Sequence, residues 1–208
     1  MAAGETARIE AFSDGVFAIA ITLLVLDMKV PRALDDGRTL ASALGAMWPT
    51  YLAFVTSFST ILIMWINHHR MFTLIGRADD RLMFYNGLLL LGVTIVPFPT
   101  ALVAEYLRHD GQKTAAALYN GTFIFIAICY NLLWRTAAVG DRLLHAHASR
   151  QAVQRIFDAY RYGPLWYVIA FVLAFVSVTA SLVVNLALAI FFARPNAAGP
   201  RLKPARSS

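Results

Sequence analysis

The stretch from Tyr162 to Ala193 reads YGPLWYVIAFVLAFVSVTASLVVNLALAIFFA and contains no charged side chain. A single helix of this length would extend about 48 Å, whereas the hydrocarbon core of a bilayer is about 30 Å thick. Arginines lie before and after the stretch, and basic residues favour the cytoplasmic side of a membrane. We therefore predict a hairpin of two short membrane-spanning helices that turns near Ser177 to Ser181, with both ends on the cytoplasmic side.

Four further apolar segments precede this hairpin. Three are long enough to cross a bilayer as helices, and the first becomes long enough if its helix begins near Arg8. The predicted fold is all-α, with six membrane-spanning helices at about residues 8–30, 44–69, 82–104, 114–135, 161–177 and 180–194. These form one membrane domain, residues 1–194. We expect residues 195–208 to be a disordered cytoplasmic tail.

The composition excludes a large soluble domain, because 59% of the residues are hydrophobic and 14% are charged. Soluble domains have about 25% charged residues. The net charge of +6 does not indicate nucleic-acid binding, since Lys and Arg lie in the gaps between apolar segments. With six spans and both termini inside, thirteen Lys and Arg are cytoplasmic and five are outside. This asymmetry predicts a multi-pass protein of the cell membrane with cytoplasmic termini.

The first span reads RIEAFSDGVFAIAITLLVLDMKVP over residues 8–31 and carries an apolar stripe. The stripe residues are spaced 4, 3, 4, 3 and 4 apart and share one face of a helix; they are Phe12, Val16, Ile19, Leu23, Leu26 and Val30. Such a stripe serves for packing or, around a symmetry axis, forms a narrow gate that repels water. Each chain has one such helix, so a pore lined by it requires several copies.

Polar residues within the first span have two interpretations each. A carboxylate such as Asp14 costs about 2.5–3.5 kcal/mol at the bilayer centre, so it either anchors neighbouring helices or binds an ion or proton. Ser13 beside it can donate a further hydrogen bond. The hydroxyl of Thr22 either bonds to its own helix backbone or replaces part of an ion's hydration shell.

The second long span ends in WINHHRMF, residues 65–72, at the same predicted depth as Asp14. Asp and His at one depth are natural hydrogen-bond partners, and we expect a network that includes Trp65, His68 and His69. Adjacent histidines point about 100° apart on a helix and lack the i, i+4 spacing of helical zinc ligands. We therefore expect no metal site and no cofactor.

Three motifs resemble the transmembrane protein 175 family of potassium channels. They are Arg8-x-x-x-Phe12-Ser13-Asp14, the following AIAITLLVLDMKVP, and Trp65-x-x-His68-His69-x-x-Phe72. The order and lengths of the spans are similar to that family over nearly the whole chain. The resemblance implies a homotetramer of six-helix subunits whose first helices line a central pore without a loop-type filter.

The resemblance also implies roles for individual residues. Ile19, Leu23 and Leu26 match the constriction of the pore, and Thr22 matches a threonine tied to potassium preference. A structural network at the cytoplasmic side is implied for the residues of the signature and of the histidine motif: Arg8, Phe12, Ser13, Asp14, Trp65 and His68 or His69.

We therefore expect a cation channel that is permeable to potassium, modestly selective for potassium over sodium, and gated by a hydrophobic constriction. Its partners are other copies of the chain, membrane lipid, and potassium and other monovalent cations, with no nucleic acid. The alternatives are a proton-coupled secondary transporter that uses Asp14, a membrane enzyme that uses the histidines, and a purely structural protein. An enzyme is disfavoured because the sequence has no recognisable nucleophile–base set.

Overall fold

The computed structural model describes residues 2–31 and 39–193, most of which are helical. No strand occurs in these ranges, where one antiparallel bridge joins Ile75 to Leu144. The predicted tail, residues 195–208, lies outside the described residues. The helices are α1 (Ala2–Leu23), α2 (Leu40–Ala46), α3 (Trp48–Phe72), α4 (Asp80–Ile95), α5 (Pro97–Tyr106), α6 (Gln112–Ala138), α7 (Arg150–Tyr160), α8 (Gly163–Val176) and α9 (Val178–Ala193).

The prediction of an all-α membrane protein is confirmed. The described chain has five helical segments that are long and apolar enough to cross a membrane, and α9 is a sixth, shorter apolar helix. The helices α4 and α5 together form one of the long segments, and α7 with α8 forms another.

The two last helices fold back on each other at Ser177, whose backbone is extended. Ser181 Oγ donates a hydrogen bond to the carbonyl oxygen of Ala170 over 2.8 Å, although the two residues are 11 positions apart. Along a continuous helix they would be about 16 Å apart. The helices α8 and α9 therefore form an antiparallel hairpin, with the turn at the start of the predicted range.

Both described ends of the chain lie at the C-terminal end of α3. Asn67 donates to the carbonyl oxygen of Phe192, in the last turn of α9, over 3.4 Å. The ring of His69, two residues further along α3, contacts Glu10 near the start of α1. The N-terminal half of α1 and the last turn of α9 therefore lie at the same end of the bundle.

The first span differs from its predicted extent of residues 8–30. The α-helix begins at Ala2 and ends at Leu23, and one 3₁₀ turn, Leu24–Asp27, follows it. Pro31 prevents an α-helix from continuing through it, because its ring would clash with the carbonyl group of the residue four positions earlier. The stripe predicted for one regular helix therefore passes into a tighter turn at Leu24.

The third span bends where the sequence has two prolines. The helix α4 ends at Ile95, and α5 begins at Pro97. Thr100 Oγ1 donates to the carbonyl oxygen of Val96 over 2.8 Å, and it lies 2.8 Å from Ser57 Oγ in α3. These buried hydroxyls tie the bend to α3, as polar groups in a bilayer require partners inside the protein.

The long helix α6 lies at the centre of the bundle and buries large side chains such as Trp134 and Phe123. Beyond its end, the segment before α7 pairs with the α3–α4 connection. The backbone N–H of Gly76 donates to the carbonyl oxygen of Leu143 over 2.8 Å, and that of His145 donates to Leu74 over 2.9 Å. A Cβ at Gly76 would lie 2.5 Å from the His145 ring, so this contact requires glycine.

Candidate functional site

The helix α1 presents two different faces. Its buried face packs against α3 and α4 through residues spaced 4, 3 and 4 apart, namely Ser13, Phe17, Ala20 and Leu24. The first four residues of the predicted stripe each precede a residue of the buried face by one position, so the stripe lies about 100° around the helix. There Phe12, Ile19, Leu23, Leu26 and Val30 are exposed and Val16 is half-buried. The protomer therefore uses one face of α1 for its own packing and leaves most of the stripe outside its core.

Asp14 and Trp65 join α1 to α3. The indole Nε1–H of Trp65 donates to Asp14 Oδ1 over 2.8 Å. An indole N–H has no acceptor function, so this contact supplies the carboxylate with a donor and requires no second charge. The geometry therefore matches a helix anchor, one of the two interpretations of Asp14.

Ser13, Asn86 and His68 form a second link, which joins α1, α4 and α3. Asn86 Nδ2 donates to Ser13 Oγ over 3.0 Å, and Ser13 Oγ donates to the carbonyl oxygen of Ile9 over 2.8 Å. Asn86 Oδ1 lies 2.8 Å from His68 Nε2. Since an amide oxygen only accepts, we assign the His68 proton to Nε2. The His68 ring is fully buried and stacks on Phe72 with 4.4 Å between centroids.

His69 forms a third contact between α3 and α1, with Glu10. Its Nδ1 lies 2.6 Å from Glu10 Oε1, and its ring stacks on Trp65 with 6.3 Å between centroids. The expected hydrogen bond between Asp14 and a histidine is therefore wrong. Trp65 precedes the histidines by one helical turn, which places its indole level with Asp14. Glu10, one turn before Asp14, lies level with His69.

The structure thus brings together most of the predicted network, namely Ser13, Asp14, Trp65, His68 and His69. Among the described side chains, no hydrogen bond connects Arg8 or Phe12 to it, and both residues are exposed. Sequence reasoning missed Asn86 and Glu10. The available signal for Asn86 was a lone amide inside an otherwise apolar segment, which must find a partner within the protein.

Thr22 lies on the exposed side of α1 and donates its hydroxyl to the carbonyl oxygen of Ile19 over 2.9 Å. This is the backbone bond that a threonine within a span often makes. The hydroxyl oxygen keeps its lone pairs, which can still face a cation. The two interpretations of Thr22 are therefore compatible with each other.

A metal centre finds no support in the described ranges, where no group of three or more His, Cys, Asp or Glu side chains could hold a metal ion. The rings of His145 and His147 stack on each other with 5.0 Å between centroids, in the segment before α7 and apart from His68 and His69.

Known proteins are similar to this chain in both sequence and fold. A family model described as the endosomal/lysosomal potassium channel TMEM175 matches residues 8–97. A potassium channel of Chamaesiphon minutus is 56% identical over 195 residues, which cover 93% of this chain and 96% of that protein. The chain belongs to the TMEM175 family.

Two further TMEM175 comparisons agree. A potassium channel of Streptomyces collinus is 46% identical over 90% of this chain and 91% of its own length. A crystal structure of a lysosomal potassium-selective channel TMEM175 homolog from Chamaesiphon minutus matches with a TM-score of 0.84 at 53% identity, covering 91% of this chain and 97% of that one. TMEM175 proteins are ion channels and not enzymes, and the transporter alternative receives no support.

Proposed function

We propose that this protein is a potassium-permeable cation channel whose pore is lined by α1. The observation that carries the proposal is the division of α1 into a buried face and an exposed apolar stripe. Ile19 is 59% exposed, Leu23 36% and Leu26 73%, whereas Phe17, Ala20 and Leu24 are buried against the protomer's own helices. An exposed stripe on a helix whose orientation is held by internal hydrogen bonds is available to an axis between protomers.

The pore requires a homo-oligomer, and we propose a homotetramer. One copy of α1 cannot enclose a pore by itself, and identical copies place equivalent residues around a closed symmetry axis. The cell membrane is the proposed location, with both termini in the cytoplasm. The positions of the basic residues support this orientation, as does the placement of both described chain ends at one end of the bundle.

Closure of this pore follows from its apolar lining. Rings of Ile19, Leu23 and Leu26 around the axis repel water, and a narrow dewetted segment blocks ions without a physical plug. Opening requires a tilt or rotation of α1 that widens the ring. Potassium is the permeant ion in this proposal, which includes no cofactor.

Selectivity in this proposal comes from Thr22. Its hydroxyl proton is engaged by Ile19, so four copies would present oxygen lone pairs to a cation that has lost part of its hydration shell. Side-chain oxygens hold an ion less rigidly than a cage of backbone carbonyl groups. We therefore propose a modest preference for potassium over sodium.

The polar network positions the pore helix. Asp14 with Trp65, and Ser13 with Asn86 and His68, fix the rotation of α1 about its own axis at the cytoplasmic end. A fixed rotation keeps the stripe directed away from the protomer's core. These residues act through the orientation of α1 and do not contact the ion.

The test is a reversal potential. The full chain is reconstituted in planar bilayers with potassium on one side and sodium on the other. A channel gives unitary currents with a reversal potential displaced toward that of potassium. Flux that saturates without unitary currents, or no flux from a correctly assembled protein, would contradict the proposal.

A further inference from the structure

An open cavity of about 1020 Å³ lies at the end of the bundle where α4 begins and α6 ends. Three arginines line it, each from a different segment: Arg81 from the first turn of α4, Arg135 from the last turn of α6, and Arg142 from the connection to α7. The remaining lining side chains are Asp80, Phe84, Tyr85, Thr136 and Val139.

Two of these arginines have no hydrogen-bond partner among the described residues. Arg142 pairs with Asp79 over 2.5 Å and is thereby engaged within the protein. Arg81 and Arg135 are exposed, and neither forms a hydrogen bond or ion pair with another described residue. The lining carboxylate, Asp80, is the first residue of α4, and with Asp79 it offsets two of the three arginine charges. Guanidinium groups from two helices therefore face the cavity with their donors free.

The depth of the cavity corresponds to the headgroup layer of a bilayer. The apolar segments Asp80–Tyr106 and Gln112–Asp141 begin and end beside it. Phe84 and Val139, which adjoin the arginines, are 62% and 68% exposed. The apolar surface continues along α4 through Leu91, two turns beyond Phe84, which is also exposed.

The chemistry of the lining selects among anionic ligands. A free phosphate ion would use the guanidinium groups and leave the apolar walls uncovered. A phospholipid uses both, because its phosphate accepts paired hydrogen bonds from arginine while its acyl chains cover adjacent apolar side chains. An anionic headgroup additionally offsets the net positive charge that remains in the lining.

We propose that this cavity binds an anionic phospholipid of the cytoplasmic leaflet, with Arg81 and Arg135 on its phosphate and Phe84 and Val139 beside its acyl chains. The site lies on α4 and α6, away from the exposed stripe of α1. Lipid binding there is measured without any current, so its outcome is separate from that of the channel proposal.

The test counts bound lipids on the purified full chain by native mass spectrometry. Phosphatidylglycerol is titrated in parallel with phosphatidylcholine. The two lipids are chosen with identical acyl chains, and the phosphatidylcholine headgroup has no net charge. The test variant is R81Q/R135Q. The matched control is R150Q/R155Q, because these arginines are exposed on α7 and do not line the cavity. R81K/R135K keeps the charges and removes the planar fork.

We expect the wild type to retain phosphatidylglycerol over phosphatidylcholine. Removing each arginine should weaken phosphatidylglycerol binding about five-fold, while the control changes it little and the lysine variant is intermediate. Equal retention of both lipids, equal losses in the test and control variants, or displacement of the lipid by inorganic phosphate would overturn the proposal. If R81Q/R135Q fails to assemble, R135Q alone is compared with R155Q.

Discussion

Trp65 and Asp14 form the contact that fixes α1 against α3, with the indole nitrogen 2.8 Å from the carboxylate oxygen. The contact lies at the same end of the bundle as the bond between Ser13 and Asn86. Ser13 and Asp14 are adjacent, so their side chains point about 100° apart on α1, one toward α4 and the other toward α3. Rotation of α1 about its axis is opposed because it would break at least one of these bonds. Loss of either bond should therefore weaken the attachment of α1.

Replacing Trp65 by phenylalanine should destabilise the protein. The change preserves an aromatic ring but leaves the partly buried carboxylate of Asp14 without its donor, and losing a hydrogen bond to a charged group costs about 1.5–3 kcal/mol. Thermal unfolding of the purified protein in nanodiscs measures the effect. Trp166→Phe is the control, since Trp166 is half exposed on α8. An equal loss in both variants would remove the special role of the Asp14 contact.

The bond between Ser13 and Asn86 should appear as a coupling energy. A double-mutant cycle of Ser13→Ala and Asn86→Ala isolates their interaction, and hydrogen bonds between membrane helices are worth about 0.6 to 1.7 kcal/mol in such cycles. The comparison cycle pairs Ser13→Ala with Asn131→Ala, because Asn131 bonds to Tyr160 instead. Its coupling should be near zero. Additive effects in the first cycle would show that Asn86 does not hold α1.

The architecture could be predicted because it depends on patterns that are local in the chain. The absence of charge between Tyr162 and Ala193, together with arginines on both sides, is enough to favour a hairpin over one long helix. The turn at Ser177 follows because a polar residue within an apolar segment can hydrogen-bond to the backbone at a helix boundary, as Ser177 Oγ does by accepting from the N–H of Ala180.

The partners within the network could not be predicted from the same patterns. Which side chain meets Asp14 depends on how α1 and α3 rotate and slide against each other, and no sequence period reports this. Asp14 and the histidines lie at similar depth, yet one turn of offset gives Trp65 to Asp14 and Glu10 to His69. Pro31 indicates that the first helix stops before it, whereas the change to a 3₁₀ turn at Leu24 has no such signal in the sequence.

A pH dependence should originate at Asp79. Its hydrogen bond from the backbone N–H of Leu82, together with the guanidinium of Arg142, holds the pKa of this carboxyl below its usual value. The stabilisation is therefore complete above the unfolded-state pKa of about 3.9 and is lost as the pH falls through the lower folded-state value.

Asp79→Asn keeps an acceptor for Leu82 and does not titrate. Its unfolding temperature should fall less than that of the wild type between about pH 4 and about pH 2. Asp158→Asn, a change at an exposed carboxylate on α7, should retain the wild-type dependence. Parallel curves for the wild type and Asp79→Asn would exclude the cap as the source.

Thr22→Val should reduce the preference for potassium. The change removes a hydroxyl oxygen but preserves the shape of the side chain, so folding is retained while a cation loses one ligand per subunit. The bi-ionic reversal potential should move toward zero. Thr122→Val is the matched control, because Thr122 makes the same kind of bond to its own helix, to the carbonyl oxygen of Leu118, and lies on α6. A similar shift in both variants, or in neither, would exclude Thr22 as a determinant of selectivity.

Ile19→Asn and Leu23→Asn should each raise the conductance or the background leak. An amide at the constriction lets water wet the narrow segment, which removes the dewetting barrier that closes the pore. Single-channel recordings measure the effect, and the expected increase is several-fold. Leu91→Asn is the control, because Leu91 is as exposed as Ile19 but lies on α4. Unchanged currents in well-assembled Ile19→Asn and Leu23→Asn proteins would place the stripe of α1 against lipid, since an amide facing acyl chains cannot alter the hydration of a pore that lies elsewhere.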